Sequence, residues 1–130
     1  MRVERAAAGS ALPIVELAPI TREILREYAH ASGDHAPIHL DSDIARANGF
    51  PDVIAHGLLV MGYLGRALGQ WFPDHQLKDF SCRFMAITLL GDALHCSGQI
   101  TAVEGQRVDL DLEVSNQHGE LKLKGGARLG

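Results

Sequence analysis

Asp34 and His39 stand five residues apart in the run Ala31-Ser32-Gly33-Asp34-His35-Ala36-Pro37-Ile38-His39-Leu40-Asp41, and Ala55-His56-Gly57 follows just ahead of a long apolar stretch. A carboxylate and an imidazole suit general acid/base work near neutral pH, and together they can hold and polarise one water. Five extended residues would span roughly 17 Å, so the pair cooperates only if the segment folds back. Pro37 removes a backbone donor and biases Ala36 toward extended geometry, which makes the segment a loop and not a helix. Spacing alone favours a plain solvated loop, because aspartate and glycine are common turn residues.

Gly57 falls where a helix should open. The first N–H groups of a helix lack internal partners and lie at the positive end of its dipole, and a glycine lets another molecule approach them. Such a terminus can stabilise an oxyanion developing at a carbonyl. Close packing beside a core histidine, His56, accounts for the same triplet.

Other chemistry is less well supported. His35, His39, Asp41 and Asp43 are metal ligands by type, but Pro37 prevents a helical HxxxH face, and no distant HxxH or CxxC completes a set. No metal and no cofactor are expected. Cys82 and Cys96 occupy alternating strand-like runs without a CxxC pair, which suits core positions in a reduced, cytoplasmic setting. Arg66 and Lys78 have the reach for a phosphate, and solvated surface explains both.

The elements that must carry these residues show a change of period. Ala11–Leu17 reads as a short strand with Pro13 near its start. Thr21 caps a helix running to about Ala31, and Asp41 or Ser42 caps a short helix that Gly49 closes. From about Ala55 to Phe72 the chain is apolar on nearly all sides, as for a helix of roughly 25 Å surrounded by protein. His56, Arg66, Gln70 and four glycines make it too polar to span a membrane. After Pro73-Asp74 the residues alternate: Phe80 to Ala86, Leu94 to Ala102, Val108 to Val114, and Glu120 to Lys124, with hairpin turns at Glu104-Gly105 and His118-Gly119. An α+β fold follows, a curved antiparallel β-sheet around a long central α-helix. At 130 residues with 46% hydrophobic and 22% charged, the chain suits a single domain over 1–130, with residues 1–11 as a flexible tail. A net charge of −4 with scattered lysine and arginine gives no footprint for nucleic acid.

The stretch Tyr28 to Asp41, then Ala45, Gly49-Phe50 and Ile54-Ala55-His56-Gly57-Leu58-Leu59, resembles the hydratase motif of the MaoC-like, or (R)-specific enoyl-CoA hydratase, family. Phe84 through Gly91-Asp92 is similar to that family's later strand signature, and the likeness covers about residues 14 to 128. The resemblance implies a hot-dog fold, usually dimerised edge to edge, and a homodimer is expected here. It implies reversible syn addition of water to a trans-2-enoyl thioester of coenzyme A or acyl carrier protein, giving the (R)-3-hydroxyacyl thioester. Asp34 and His39 would activate the water and Gly57 would supply the oxyanion N–H, with Pro37, Ile38, His56 and Leu58 contacting substrate. Ala36 stands where the family usually has asparagine, and Ala86-Ile87-Thr88-Leu89-Leu90 lacks its usual prolines. Two other readings stay open. One is a non-catalytic structural subunit of a heteromeric hydratase. The other is a hot-dog thioesterase, against which the central helix offers no Asp or Glu between Ala55 and Trp71.

Overall fold

The computed structural model describes residues 7–130. Strand β1 (Val15–Glu16) is followed by α1 (Arg22–Ser32), a 3-10 turn (Pro37–His39), α2 (Ser42–Ala47) and α3 (Gly57–Trp71). Then come β2 (Leu77–Phe84), β3 (His95–Glu104), β4 (Arg107–Ser115) and β5 (Leu121–Leu129). The strands form one antiparallel sheet in the order β1-β3-β4-β5-β2.

Local signals set the helix ends. The Thr21 hydroxyl accepts the Ile24 N–H at the start of α1, and Gly33, at φ +78°, returns its own N–H to the Ala29 carbonyl. Only glycine takes that left-handed conformation cheaply, so the chain leaves the helix directly before Asp34. Asp41 caps α2 by accepting from the Asp43 and Ile44 N–H groups.

Helix α3 is the apolar centre. Leu59, Val60, Leu64, Ala67, Leu68 and Trp71 are buried on it, in one cluster with Ile100, Leu110, Leu112, Val114 and Leu123 of the sheet. The predicted alternation is clearest on β4, where Val108, Leu110, Leu112 and Val114 are all buried. His56 is the N-cap, so the helix opens at Gly57. One expectation fails. Leu58 is 64% exposed, and Gly62, Arg66 and Gly69 continue the same open stripe, so the chain covers α3 on one side only.

Strand β5 also departs from expectation by running past Lys124 through Gly125-Gly126 to Leu129. Glycine usually weakens a strand, but a Cβ on Gly125 would lie 2.3 Å from the Ser81 carbonyl oxygen and 2.9 Å from the Cys82 sulfur. The close approach to β2 admits nothing larger. At the other edge, residues 1–6 of the expected tail lie outside the described residues. From Gly9 onward the chain is held: the Gly9 and Leu12 N–H groups donate to the Ile100 and Gly98 carbonyls, and Ala11 bridges Gln99. Regular pairing is confined to Val15–Glu16, since Pro13 has no N–H to give. Cys96 is fully buried and burial pushes its thiol up to about 11, which suits core filling and not attack. Among the described residues, no helix is long and apolar enough to cross a membrane.

Candidate active site

The loop after α1 folds back through short-range ties. Asp34 Oδ1 accepts the Ala36 N–H at 3.2 Å, and the His39 and Leu40 N–H groups donate to the Ala36 and Pro37 carbonyls. These backbone ties hold the loop that carries alanine at position 36. Asp34 Oδ2 thereby comes to 3.8 Å from His39 Nε2. The aspartate side chain is half exposed, while that of His39 is only 10% exposed. One water at about 2.8 Å from each atom fits this separation.

Hydrogen bonds assign the tautomers. His39 Nδ1 lies 2.8 Å from the Ile54 carbonyl oxygen, which can only accept, so Nδ1 carries the proton. A neutral His39 then presents the lone pair of Nε2 toward Asp34. His56 stacks against His39, centroids 3.8 Å apart and planes 21° apart, and Tyr28 meets the His56 ring edge-on. His56 Nε2 donates to the Asp34 carbonyl at 3.0 Å, while buried Nδ1 has no hydrogen-bond partner. Burial depresses the His56 pKa below 6.5, only partly offset by the bond to Asp34.

Asp34, His39 and His56 bring three ligand-type atoms within 4.8 Å of one another. The two imidazoles stack face to face, with planes 21° apart. His39 Nδ1 and His56 Nε2 already serve carbonyls.

Beside His39 lies a cavity of about 360 Å³. Gly57, at the start of α3, lines it, and no side chain caps that helix end, which leaves first-turn N–H groups for an incoming acceptor. A Cβ on Gly57 would stand 3.1 Å from the Phe84 ring, so glycine here provides space. Ile54, Ala55 and Val60 form one wall, and the segment from Phe84 to Thr88 forms the other with Lys122. Pro37, Ile38, His56 and Leu58, expected to contact substrate, do not line it. Ile38 instead receives the Ile54 N–H, His56 backs His39, and Leu58 faces outward. The sequence pattern marked the 84–88 stretch but not its place at the cavity. Lys122, alternating with leucines, reads as a wet position and is 2% exposed.

Residues 6–120 match the protein family described as "MaoC like domain". The chain belongs to that family. Among its relatives, the MaoC-like chain is 35% identical to the UPF0336 protein of Streptomyces avermitilis, covering 92% of this chain and 89% of that one. It is 30% identical to 3-hydroxyacyl-thioester dehydratase Z of Mycobacterium tuberculosis, over 76% of this chain and 70% of the relative. The solved structure of unliganded R-hydratase PhaJ1 from Pseudomonas aeruginosa superposes with a TM-score of 0.90 at 26% identity, covering 98% of this chain and 83% of that one. The five-stranded antiparallel sheet and central α3 are therefore a hot-dog fold, in a family of hydratases and dehydratases.

Proposed function

We propose that this MaoC-like protein is an acyl-thioester hydratase/dehydratase, adding water reversibly and syn to a trans-2-enoyl thioester to give the (R)-3-hydroxyacyl thioester. The observation that carries the reading is the 3.8 Å approach of Asp34 Oδ2 to His39 Nε2 beside a cavity that a helix N-terminus lines. Ionised Asp34 and neutral His39 offer two acceptors, so one water donates a hydrogen to each and keeps a lone pair free to attack C3. As the new C–O bond forms, Asp34 takes one proton from the water. The electron pair of the double bond shifts toward the thioester oxygen, where the Gly57 N–H and the helix dipole stabilise the enolate-like charge. Delivery of the abstracted proton to C2 from the same face restores the thioester and gives syn addition, with His39 keeping the water and its proton in register. Dehydration is the reverse.

The acyl chain would occupy the cavity between α3 and the 84–88 segment. Two features favour a homodimer: the open stripe on α3 and the position of β2 at the sheet's end, with one edge unpaired within the chain. A thioesterase reading gains nothing, since α3 carries no Asp or Glu. The test is hydration of crotonyl-CoA and of a longer trans-2-enoyl-CoA, following loss of the conjugated thioester and the configuration of the alcohol. Absence of turnover on coenzyme A and carrier-protein thioesters alike, with the protein folded, sinks the reading.

A further inference from the structure

Lys122 on β5 is 2% exposed, yet it borders the acyl cavity. A buried ammonium is tolerated only when its donors are matched. Here three donors meet three acceptors: the Ile87 carbonyl at 2.7 Å, Asp92 Oδ2 at 3.2 Å and the Glu120 carboxylate. Asp92 is itself buried, and its two oxygens also take the Leu89 N–H at 2.8 Å and the Asn116 amide at 3.1 Å. Although burial alone would raise its pKa, these donors and Lys122 hold the carboxyl below its ordinary value. Nothing in the proton chemistry above uses this cluster.

Its placement gives it a task. The wall segment Met85-Ala86-Ile87-Thr88-Leu89 contains no proline and no regular strand, so its position depends on what grips it. Lys122 grips it twice, accepting the Met85 N–H on its backbone oxygen and donating its ammonium to Ile87. One residue on, the Thr88 carbonyl receives the Ala55 N–H at 2.8 Å and Leu89 bridges Ile54. The Ile54 carbonyl is the group that holds His39 Nδ1.

We propose that Lys122 is a positioning residue: clamped by Asp92 and Glu120, it fixes the 85–89 segment as a firm wall of the acyl cavity and, through the Ile54–Leu89 bridge, steadies the carbonyl that orients His39. From β5 the clamp supplies the rigidity that regular strand pairing does not give the wall. It sets how long an acyl chain is accepted as well as how well His39 is aligned. The kinetic half of this inference rests on the hydratase reading; the dynamic half does not.

The experiment compares wild type with Lys122→Met and with Lys122→Met/Asp92→Asn, which leaves no unpaired buried charge and so keeps the fold where the single change does not. Amide hydrogen exchange is read against β4 at Ala55 in both variants and at Leu89 in Lys122→Met alone, because Asp92 accepts the Leu89 N–H, and kcat and KM are read on crotonyl-CoA and a long trans-2-enoyl-CoA. The expected result is exchange at least about tenfold faster at Ala55 and Leu89 with β4 unchanged. On crotonyl-CoA kcat falls about tenfold with KM within about twofold, and the ratio of long-chain to short-chain kcat/KM rises about threefold. Unchanged exchange at the amides read in a folded variant overturns the clamp. So does faster exchange everywhere with kcat reduced by the same factor for both chain lengths, which is what mere loss of stability produces. If neither variant folds, Glu120→Ala, at an exposed side chain, decides: exchange about threefold faster at Leu89 supports the clamp and no change overturns it. A wild-type protein inert to every enoyl thioester ends the hydratase reading alone, and exchange still decides the clamp.

Discussion

His39 and His56 are tied reciprocally: the rings stack at 3.8 Å, and each donates to a backbone carbonyl in the segment that carries the other. His39 Nδ1 holds Ile54, two residues before His56, and His56 Nε2 holds Asp34, five residues before His39. Each ring therefore has one nitrogen committed to structure. The second nitrogen of His39 lies 3.8 Å from the Asp34 carboxylate, whereas His56 Nδ1 is buried without a hydrogen-bond partner.

If Asp34 and His39 handle the proton as proposed, removing either should cost most of the hydration activity. In Asp34→Asn the side-chain oxygen that accepts the Ala36 N–H is retained and only the charge is lost. We expect kcat/KM on crotonyl-CoA to fall by about 10²–10⁴ in Asp34→Asn and in His39→Ala, with circular dichroism of Asp34→Asn unchanged. Turnover within about threefold of wild type in either variant would remove that residue from the mechanism.

Acid should destabilise the fold through His56. Burial lowers its folded-state pKa below the 6.5 of the unfolded chain, so the folded state binds the proton less tightly. Its stability contribution is therefore complete above pH 6.5 and is lost as pH falls from 6.5 toward the depressed value. The slope contributed by one such proton is at most about 1.4 kcal/mol per pH unit. Urea midpoints measured between pH 7.5 and 5.5 should fall, and His56→Gln should flatten that fall even if it is less stable throughout. An equal slope in both proteins would assign the acid sensitivity elsewhere.

Much of the fold was legible because its signals are local. Gly49 closes α2 in the left-handed conformation read for it from the sequence, and β4 shows its dry face in period-2 alternation. The Asp34–His39 approach was legible only as a requirement, since spacing says that a loop must fold back and not what ties it. Lys122 was missed because its acceptor Ile87 comes from 35 residues away, and alternation assigned it to water. The open side of α3 was misread for a related reason: an apolar composition reports that a surface needs covering, not whether the same chain covers it.

That open side leads to a prediction about assembly. Gly62 sits in the stripe with nothing within 4 Å of where a Cβ would lie, so Gly62→Arg costs the single chain little beyond local adjustment. In a dimer packed through α3 the same arginine meets a second copy. We expect wild type to sediment as a dimer and Gly62→Arg as a folded monomer. A variant that remains dimeric would move the interface off this stripe.

Gly57 and Phe84 supply the sharpest test of the carbonyl-binding end. The φ of Gly57 is not positive, so its role is not conformational freedom, and alanine is well tolerated at the start of a helix. What alanine changes is space: its methyl would stand 3.1 Å from the Phe84 ring, beside the cavity that both residues line. Either the ring shifts or the methyl screens the N–H that would hold the thioester oxygen. Loss of one oxyanion donor is worth about 10²–10³ in kcat, so Gly57→Ala should lose activity on that scale while its thermal midpoint moves little. Phe84→Leu in the same chain relieves the crowding but not the screening. Recovery of most activity in the double variant would mean that Phe84 was pushed into the substrate's path; continued inactivity would mean that the backbone N–H itself needs open access. Full activity in Gly57→Ala would exclude Gly57 as the oxyanion donor.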